Sequence, residues 1–116
     1  MTYHSFVYTI QEVHWGEEVP NMFSMSYSMR MKLAAKTPPV SENDLFECFQ
    51  NRTRTAILDL REKHDTDPPT LWFISENDYG RRLKICYVSE AVPVIKTAFV
   101  PNADEEKFYL EHSLEL

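Results

Sequence analysis

Between residues 70 and 100, segments rich in apolar residues are separated by turn sequences, and the chain reads as three consecutive antiparallel strands. The first two, LWFISE and RRLKICYVSE, are separated by NDYG, a tight-turn sequence in which Gly80 can adopt a positive φ. The third, VIKTAFV, follows Pro93, whose missing N–H is tolerated at the start of a strand. This pattern predicts a three-stranded antiparallel meander over 70–100.

A second alternating segment lies near the N-terminus. Residues 24–33 alternate between large apolar side chains and serine, arginine or lysine, and this period of two is typical of a strand with one buried face. Residues 3–13 are rich in β-branched and aromatic types, so they are predicted to form a partner strand. Together they predict a β-hairpin extension over 1–36. The alternating apolar positions are Met25, Tyr27, Met29, Met31 and Leu33.

The pattern changes to helical spacing after the two prolines at positions 38 and 39. Ser41 is a suitable N-cap, and Asp44 stands three residues later in a capping-box position. The spacing predicts one long helix over 41–63, a rod of roughly 30 Å that would lie across the sheet. Its apolar stripe would consist of Leu45, Phe46, Phe49, Ala56, Ile57 and Leu60.

The last segment predicts a short helix over 103–114, capped by Asn102 or Asp104, with Phe108, Leu110 and Leu114 docking on the core. A chain of 116 residues is long enough for one hydrophobic core, so residues 1–116 are expected to form a single domain. The predicted fold class is α+β. An antiparallel sheet, built from the N-terminal hairpin and the meander, would pack on the long helix.

Alternation along the middle strand of the meander predicts which side chains face the helix. Leu83, Ile85 and Tyr87 would share the face that packs against the helix, and Arg82, Lys84, Cys86 and Val88 would lie on the other face.

The acidic and basic residues are unevenly distributed along the chain. The formal net charge is −6, with five acidic residues and one basic residue over 103–116 and seven against four over 41–67. Residues 68–102 are locally basic, with four basic and three acidic residues. An acidic protein is a poor non-specific binder of nucleic acid, although this balance leaves room for a small basic site.

The sequence contains no motif for a metal, a cofactor or a covalent nucleophile. Two glycines are too few for a glycine-rich phosphate loop, and Cys48 and Cys86 lack metal-ligand spacing. Two reduced, packed thiols are the preferred interpretation, with a disulfide left open. The N-terminus lacks a secretory pattern and no apolar run reaches about 20 residues, so a cytoplasmic protein with no membrane contact is expected.

From Gly80 to Ile85, GRRLKI, through VIKTA at 94–98 to PNADEE at 101–106 with Tyr109, the chain resembles small toxins of the BrnT and RelE kind. The resemblance covers about residues 45–112. It implies a helix packed on an antiparallel sheet, a metal-independent ribonuclease activity and an antitoxin as the protein partner. The N-terminal hairpin is an addition to that pattern, and the acidic composition departs from the basic character usual in such toxins.

RNA cleavage without a metal needs cations around the phosphate and groups that transfer protons. Lys84 and Lys96 are the candidate catalytic cations, with His112 or Tyr109 transferring a proton if the C-terminal segment folds over the same sheet face. Arg81 and Arg82 are the candidate RNA-binding residues. The competing interpretation of these charges is an ordinary solvated strand surface.

The alternative function is that of a non-catalytic acidic binding protein, such as an immunity or inhibitor protein. Its clustered carboxylates and aromatic residues, from Asp104 to Glu115, would contact a basic site on a target nuclease. The sequence leaves the oligomeric state undetermined.

Overall fold

The computed structural model describes residues 22–60 and 68–116. In these ranges the chain is an α+β structure with three helices and a four-stranded antiparallel sheet, so the predicted fold class is confirmed at that level. The helices are α1 (Tyr27–Ala34), α2 (Glu42–Gln50) and α3 (Ala103–His112); the strands are β1 (Ile57–Leu58), β2 (Thr70–Glu76), β3 (Arg82–Val88) and β4 (Val94–Phe99).

The strands lie in the sheet in chain order, β1-β2-β3-β4, each antiparallel to the next. The turn between β2 and β3 is organised by Asn77, whose side-chain oxygen accepts hydrogen bonds from the backbone N–H groups of Tyr79 and Arg81. Gly80 has φ of 85°, the positive value that the turn sequence predicts. Three strands thus occupy the positions predicted over 70–100.

The register between β3 and β4 contains one irregularity. Cys86 pairs with Thr97 and Tyr87 pairs with Ile95, so Lys96 is an extra residue opposite no residue of β3. Beyond this bulge, the backbone of Ser24 bonds to Pro93 and Ile95 and forms a parallel bridge with Val94.

The predicted strand over 24–33 is wrong, because residues 27–34 form helix α1. Ser26 caps this helix by accepting a hydrogen bond from the N–H of Met29 at 3.1 Å. Leu33 is the buried residue of α1, whereas Tyr27 and Met31 are exposed. The alternation therefore did not reflect one buried face, and the high helix propensity of methionine, leucine, lysine and arginine prevails. The partner strand predicted over 3–13 lies outside the described residues.

The long helix predicted over 41–63 is also wrong in extent. The Ser41–Asp44 capping box is present as predicted, and α2 buries Leu45, Cys48 and Phe49. The helix ends at Gln50, and the side chain of Asn51 then binds the carbonyl of Glu76 and the carboxylate of Asp78.

The segment that follows α2 is extended, and it contains the threonines at positions 53 and 55 and the β-branched Ile57, which favour that conformation. Ala56 and Ile57 are buried, as the helical stripe predicted, but they are buried along the sheet edge, where Ile57 pairs with Trp72. Residues 61–63 of the predicted helix are outside the described ranges.

Helices cover both faces of the sheet. Phe49 of α2 lies against Phe73 and Tyr87, with ring centroids 4.9 and 5.9 Å away, while Phe108 and Tyr109 of α3 lie against Trp72. Because adjacent residues of a strand point to opposite faces, Trp72 and Phe73 separate two apolar layers. This explains why β2 and β3 are buried almost continuously rather than at alternate positions.

The C-terminal segment begins with the predicted Asn102 cap, and α3 then crosses the sheet. Phe108 is half-buried, as predicted, whereas Leu110 and Leu114 are exposed rather than docked. After α3 the chain pairs with the extended segment that follows α2: the N–H of Thr55 bonds to the carbonyl of Leu114 at 2.8 Å, and that of Leu116 to Thr53 at 3.0 Å. In the described part of the chain, every helix is too short or too polar to span a membrane.

Candidate functional site

Strand β3 and helix α3 bring together the charged residues that the sequence singles out. Lys84 and Arg82 lie on β3, on the face that α3 covers, and Tyr109 and His112 lie on α3 itself. The C-terminal segment therefore folds over the predicted face. It does not leave that face open, because its own carboxylates meet the cations.

Lys84 is buried, with 2% of its side chain exposed, so the competing interpretation of an ordinary solvated charge is wrong for this residue. Its ammonium group lies 2.9 Å from Oε2 of Glu105, 4.1 Å from the Trp72 ring centroid and 5.4 Å from that of Phe99. A buried ammonium needs a nearby counter-charge, and the faces of aromatic rings add a favourable electrostatic contact. The contacts of Lys84 are thus made within the fold.

Arg82 binds two carboxylates. Its Nε and Nη2 donate to the two oxygens of Glu106 at 2.9 and 2.8 Å, and its Nη1 donates to Glu76 at 3.2 Å. The hydrogen bonds to Glu106 are the main reason why the pKa of Arg82 is raised. This two-point pairing fixes the guanidinium more firmly than one contact would. Arg82 nevertheless remains partly exposed at the edge of a cleft.

Arg81 has a different environment from its neighbour. Its guanidinium donates to the carbonyls of Pro39 at 2.6 Å and Pro38 at 3.0 Å, and it lies 3.9 Å from a carboxylate oxygen of Asp44. Partial burial raises the pKa of Asp44, but hydrogen bonds from Ser41 and the charge of Arg81 lower it overall. Arg81 therefore connects the turn before β3 to the prolines that precede α2 and to the first turn of that helix. These contacts stabilise the fold, and they occupy the guanidinium group that a phosphate would need.

Tyr109 is buried, and its hydroxyl donates to the backbone carbonyls of Thr55 at 3.0 Å and Arg54 at 3.2 Å. Burial raises the pKa of Tyr109 to about 12. A general acid or base works best with a pKa near the operating pH and with access to substrate. Tyr109 meets neither condition, because its pKa is raised and its side chain is buried.

His112 and Lys96 remain accessible. The His112 ring stacks on Phe108 with centroids 4.0 Å apart, and its Nδ1 lies 2.9 Å from the carbonyl of Phe108. Lys96 is exposed at the bulge of β4. Lys96 lies on β4 and His112 in the last turn of α3, whereas Lys84 is paired with Glu105. Of the predicted catalytic residues, Lys84 and Tyr109 are therefore buried, and Lys96 and His112 are exposed.

A cleft of about 670 Å³ lies beside Arg82, between the end of β2, the extended segment after α2 and the chain following α3. Arg54, which the sequence did not single out, lines it and donates to Oγ and the carbonyl of Ser113 at 2.7 and 2.9 Å. Glu76 and Glu115 add two carboxylates to the lining. Glu76 lies 3.2 Å from Arg82 and Glu115 lies 3.8 Å from Arg54, so this cleft does not present a purely basic surface.

A second cleft of about 390 Å³ lies between β1 and the start of α3, and it is mainly apolar. The buried Lys84–Glu105 pair contributes to its lining. Its complete lining is Leu58, Asp59, Leu60, Trp72, Lys84, Asn102, Asp104, Glu105 and Phe108.

Neither cysteine is suited to act as a nucleophile. Cys48 and Cys86 are buried on different elements and do not form a disulfide. Burial, together with the charges of Asp44 and Glu47, raises the pKa of Cys48 to about 12. Within residues 22–60 and 68–116, no group of three or more histidine, cysteine or acidic side chains could hold a metal ion.

The partners of the basic residues were missed from the sequence. Glu105 and Glu106 stand in the first turn of α3, where acidic residues are explained by the helix dipole alone. The available signal was the presence of two cations on β3 and two neighbouring carboxylates on α3, which pair in reverse order, Arg82 with Glu106 and Lys84 with Glu105. This signal becomes informative only when α3 is known to cross that face.

No protein-family model matches the chain, and no curated protein or solved structure is significantly similar to it.

Proposed function

We propose that this protein is a non-catalytic acidic binding protein of the immunity or inhibitor kind, which acts by contacting a basic protein partner. The observation that carries the proposal is the neutralisation of Lys84 and Arg82 by the acidic residues of α3.

The first argument concerns access. RNA would have to bring a phosphate oxygen to within about 3 Å of Lys84. The ammonium of Lys84 is instead covered by α3, and Glu105 occupies the position next to it. Arg82 is more accessible, but a phosphate would have to compete there with two carboxylates. Stabilising a phosphorane requires cations whose charge is not already neutralised by carboxylates. On this face, Lys84 is paired with Glu105 and Arg82 with Glu106.

The second argument concerns charge. With a net charge of −6, the protein repels RNA at long range and attracts a basic surface. Exposed carboxylates remain on and beyond α3, at Asp104, Glu111 and Glu115. Charge of this kind mainly increases the association rate and the specificity of a protein complex. A basic nuclease is the type of partner that it fits, and a cytoplasmic location belongs to the same proposal.

The test combines a negative and a positive measurement. Purified protein incubated with RNA should leave the RNA intact, and protein expressed alone should not arrest growth. Cross-linking in the cells that naturally make the protein should recover a basic protein, and purified partner should bind in a salt-sensitive manner. RNA cleavage by the wild type that disappears in a Lys96→Ala/His112→Ala variant would overturn the proposal; both side chains are exposed, so the variant should fold.

A toxin-like ribonuclease is the second candidate, and one specific observation favours it. His112, which is exposed, lies on a helix that crosses the sheet beside Lys84 and Arg82, and residues 45–112 carry the resemblance to BrnT and RelE-type toxins. In this case the partner would be an antitoxin, and Arg54 and Arg82 would bind RNA in the 670 Å³ cleft.

The two candidates differ in one readily measured property. An Arg82→Gln variant removes a cation from the cleft without disturbing the buried Lys84. A ribonuclease would lose most of its cleavage activity through this change, because each lost contact to the transition state costs about tenfold or more in rate. An inhibitor would show no cleavage activity before or after it.

A further inference from the structure

We infer that the 670 Å³ cleft binds a small molecule in which one carboxylate is joined to an apolar group, and that Glu115 competes with this carboxylate for Arg54. The inference goes beyond the proposed function, because it assigns a small-molecule site that a contact between proteins does not require. The cleft volume lies within the range of about 300–1,000 Å³ that is typical of ligand sites.

The guanidinium group of Arg54 is held in one orientation at the wall of the cleft. Its Nε donates to Oγ of Ser113 at 2.7 Å, and its Nη2 donates to the carbonyls of Ser113 at 2.9 Å and Leu110 at 3.4 Å. Its Nη1 makes no hydrogen bond within residues 22–60 and 68–116, and a carboxylate oxygen of Glu115 lies 3.8 Å from it. Both N–H groups of Nη1 can therefore bind an anion in the cleft.

Glu115 is a weak internal partner for Arg54. The 3.8 Å separation is longer than a hydrogen bond, and 85% of the Glu115 side chain is exposed to solvent. Ion pairs with an exposed member stabilise a protein little, because water and salt screen the two charges. A ligand carboxylate at about 2.8 Å from Nη1 would make a stronger contact, and Glu115 would then turn into solvent.

Apolar side chains line the cleft together with Arg54. Ile74 is buried in β2, whereas Leu110 and Leu116 are 60% and 50% exposed. An apolar group of the ligand would remove part of this leucine surface from water, which favours binding. The arginine and the leucines thus match the two ends of an apolar carboxylate.

The acidic residues of the cleft limit the charge of the ligand to one. Glu76 lines the cleft and is paired with Arg82 at 3.2 Å, and Glu115 lines it as well. Repulsion from these carboxylates grows with the charge of the ligand, so it is about twice as large for a phosphate dianion as for a carboxylate. A monocarboxylate is therefore favoured over a phosphate.

The test uses 4-phenylbutyrate as the probe, with 4-phenylbutanol and inorganic phosphate as comparison compounds at equal ionic strength. Binding is followed through the backbone amide signals of the isotope-labelled, full-length protein. We expect saturable changes at Arg54, Leu110 and Leu116 with phenylbutyrate below about 10 mM, a concentration range suited to so small a ligand. Phenylbutanol and phosphate should both bind more weakly.

A first pair of variants tests the competition with Glu115. Glu115→Gln removes the competing carboxylate from the cleft, and Glu111→Gln removes a carboxylate of α3 that does not line it. Both side chains are exposed, so both variants should fold. Glu115→Gln should tighten phenylbutyrate binding about two- to fourfold, and Glu111→Gln should leave the affinity unchanged.

A second pair of variants tests the apolar contact. Leu110→Ala removes a leucine that lines the cleft, and Leu114→Ala removes one that is similarly exposed, at 63%, but does not line it. Leu110→Ala should weaken phenylbutyrate binding about two- to fivefold, because less apolar surface is covered by the ligand. Leu114→Ala should leave the affinity unchanged.

Four results would overturn the inference: no saturable change in the cleft, equally tight binding of phenylbutanol, unchanged or weaker binding in Glu115→Gln, or equal effects of the two leucine variants. A protein chain could present the same carboxylate, so a blocked pentapeptide with glutamate between two leucines is a further arm. Tighter binding of this peptide than of phenylbutyrate would assign the cleft to a protein segment and would refute the small-molecule site.

Discussion

The ammonium of Lys84 lies 2.9 Å from the carboxylate of Glu105, and the two residues form an ion pair between the sheet and α3 with only 2% and 22% of their side chains exposed. The pair joins β3 to a helix 21 residues later in the sequence. It shows that the charge of Lys84, within the locally basic segment of this acidic protein, is neutralised inside the fold.

Replacing Glu105 with glutamine should destabilise the protein by about 3 kcal/mol, because the change leaves the Lys84 charge buried without its counter-charge. Glutamine retains the shape of glutamate and can still serve at the capping position of α3. Urea unfolding monitored by circular dichroism measures the change. Glu111→Gln, on the same helix but exposed, is the control and should alter stability by less than about 0.5 kcal/mol. Equal effects of the two variants would show that the buried pair contributes little.

Alkaline titration should detect the buried phenols. Burial raises the pKa of Tyr87 and of Tyr109 to about 12, above the ordinary value of 10. A folded-state pKa above the unfolded one means that the stabilisation is complete below pH 10 and is lost as the pH rises towards 12. Absorbance at the phenolate wavelength should show a late phase that coincides with loss of near-ultraviolet circular dichroism. Tyr109→Phe should reduce this phase.

Cys48 should resist thiol reagents in the folded protein. Its thiol is buried in α2 with a pKa of about 12, and the reactive species is the thiolate. In a Cys86→Ser variant, the rate of modification at pH 8 should be slow in buffer and rise steeply with urea as the protein unfolds. Rapid modification in buffer at a rate unaffected by mild denaturant would contradict the packed position of α2.

Gly80→Ala should cost about 1 kcal/mol through the backbone alone. The residue has φ of 85°, and a Cβ added there meets nothing within 4 Å, so no steric clash contributes. Gly80→Asn is the matched control, because asparagine tolerates positive φ better and should cost less. Thermal unfolding of both variants measures the difference. Equal losses would indicate that the turn relaxes to another conformation.

The local features of the fold could be predicted from the sequence. The Ser41–Asp44 capping box, the Asn102 cap and the positive φ of Gly80 each depend on a few neighbouring residues. The positions of β2, β3 and β4 follow from turn signals and from apolar runs. In these segments the nearby residues alone favour the conformation that the tertiary structure also requires.

The errors arose where one pattern fits two structures. Ala56 and Ile57 continue the helical spacing of Leu45 and Phe49, yet they belong to an extended segment that pairs with β2. The apolar positions of 25–33 alternate as in a strand, although helix propensity and the Ser26 cap favour α1. Periodicity counts apolar positions, and it does not tell which of them are buried.

The candidate site was hardest to predict because its contacts are long-range. Alternation correctly predicted that the side chains of Leu83 and Lys84 lie on opposite faces of the sheet. It could not predict whether Lys84 is exposed to solvent, because that depends on the helix that covers its face. The Glu105 contact depends on the crossing direction of α3, and the hydroxyl contact of Tyr109 depends on the path of residues 54–55. Neither contact can be predicted from the residues adjacent to Lys84 or to Tyr109 in the sequence.

The hydroxyl of Tyr109 bonds to a carbonyl 54 residues earlier in the chain, whereas β2, β3 and β4 pair with their immediate neighbours. Closing a long loop costs more conformational entropy than forming a hairpin, and contacts between sequence-distant residues slow folding. We therefore expect the meander to form first and α3 to dock late. On this order of events, the basic face of β3 is briefly uncovered each time a newly made chain folds.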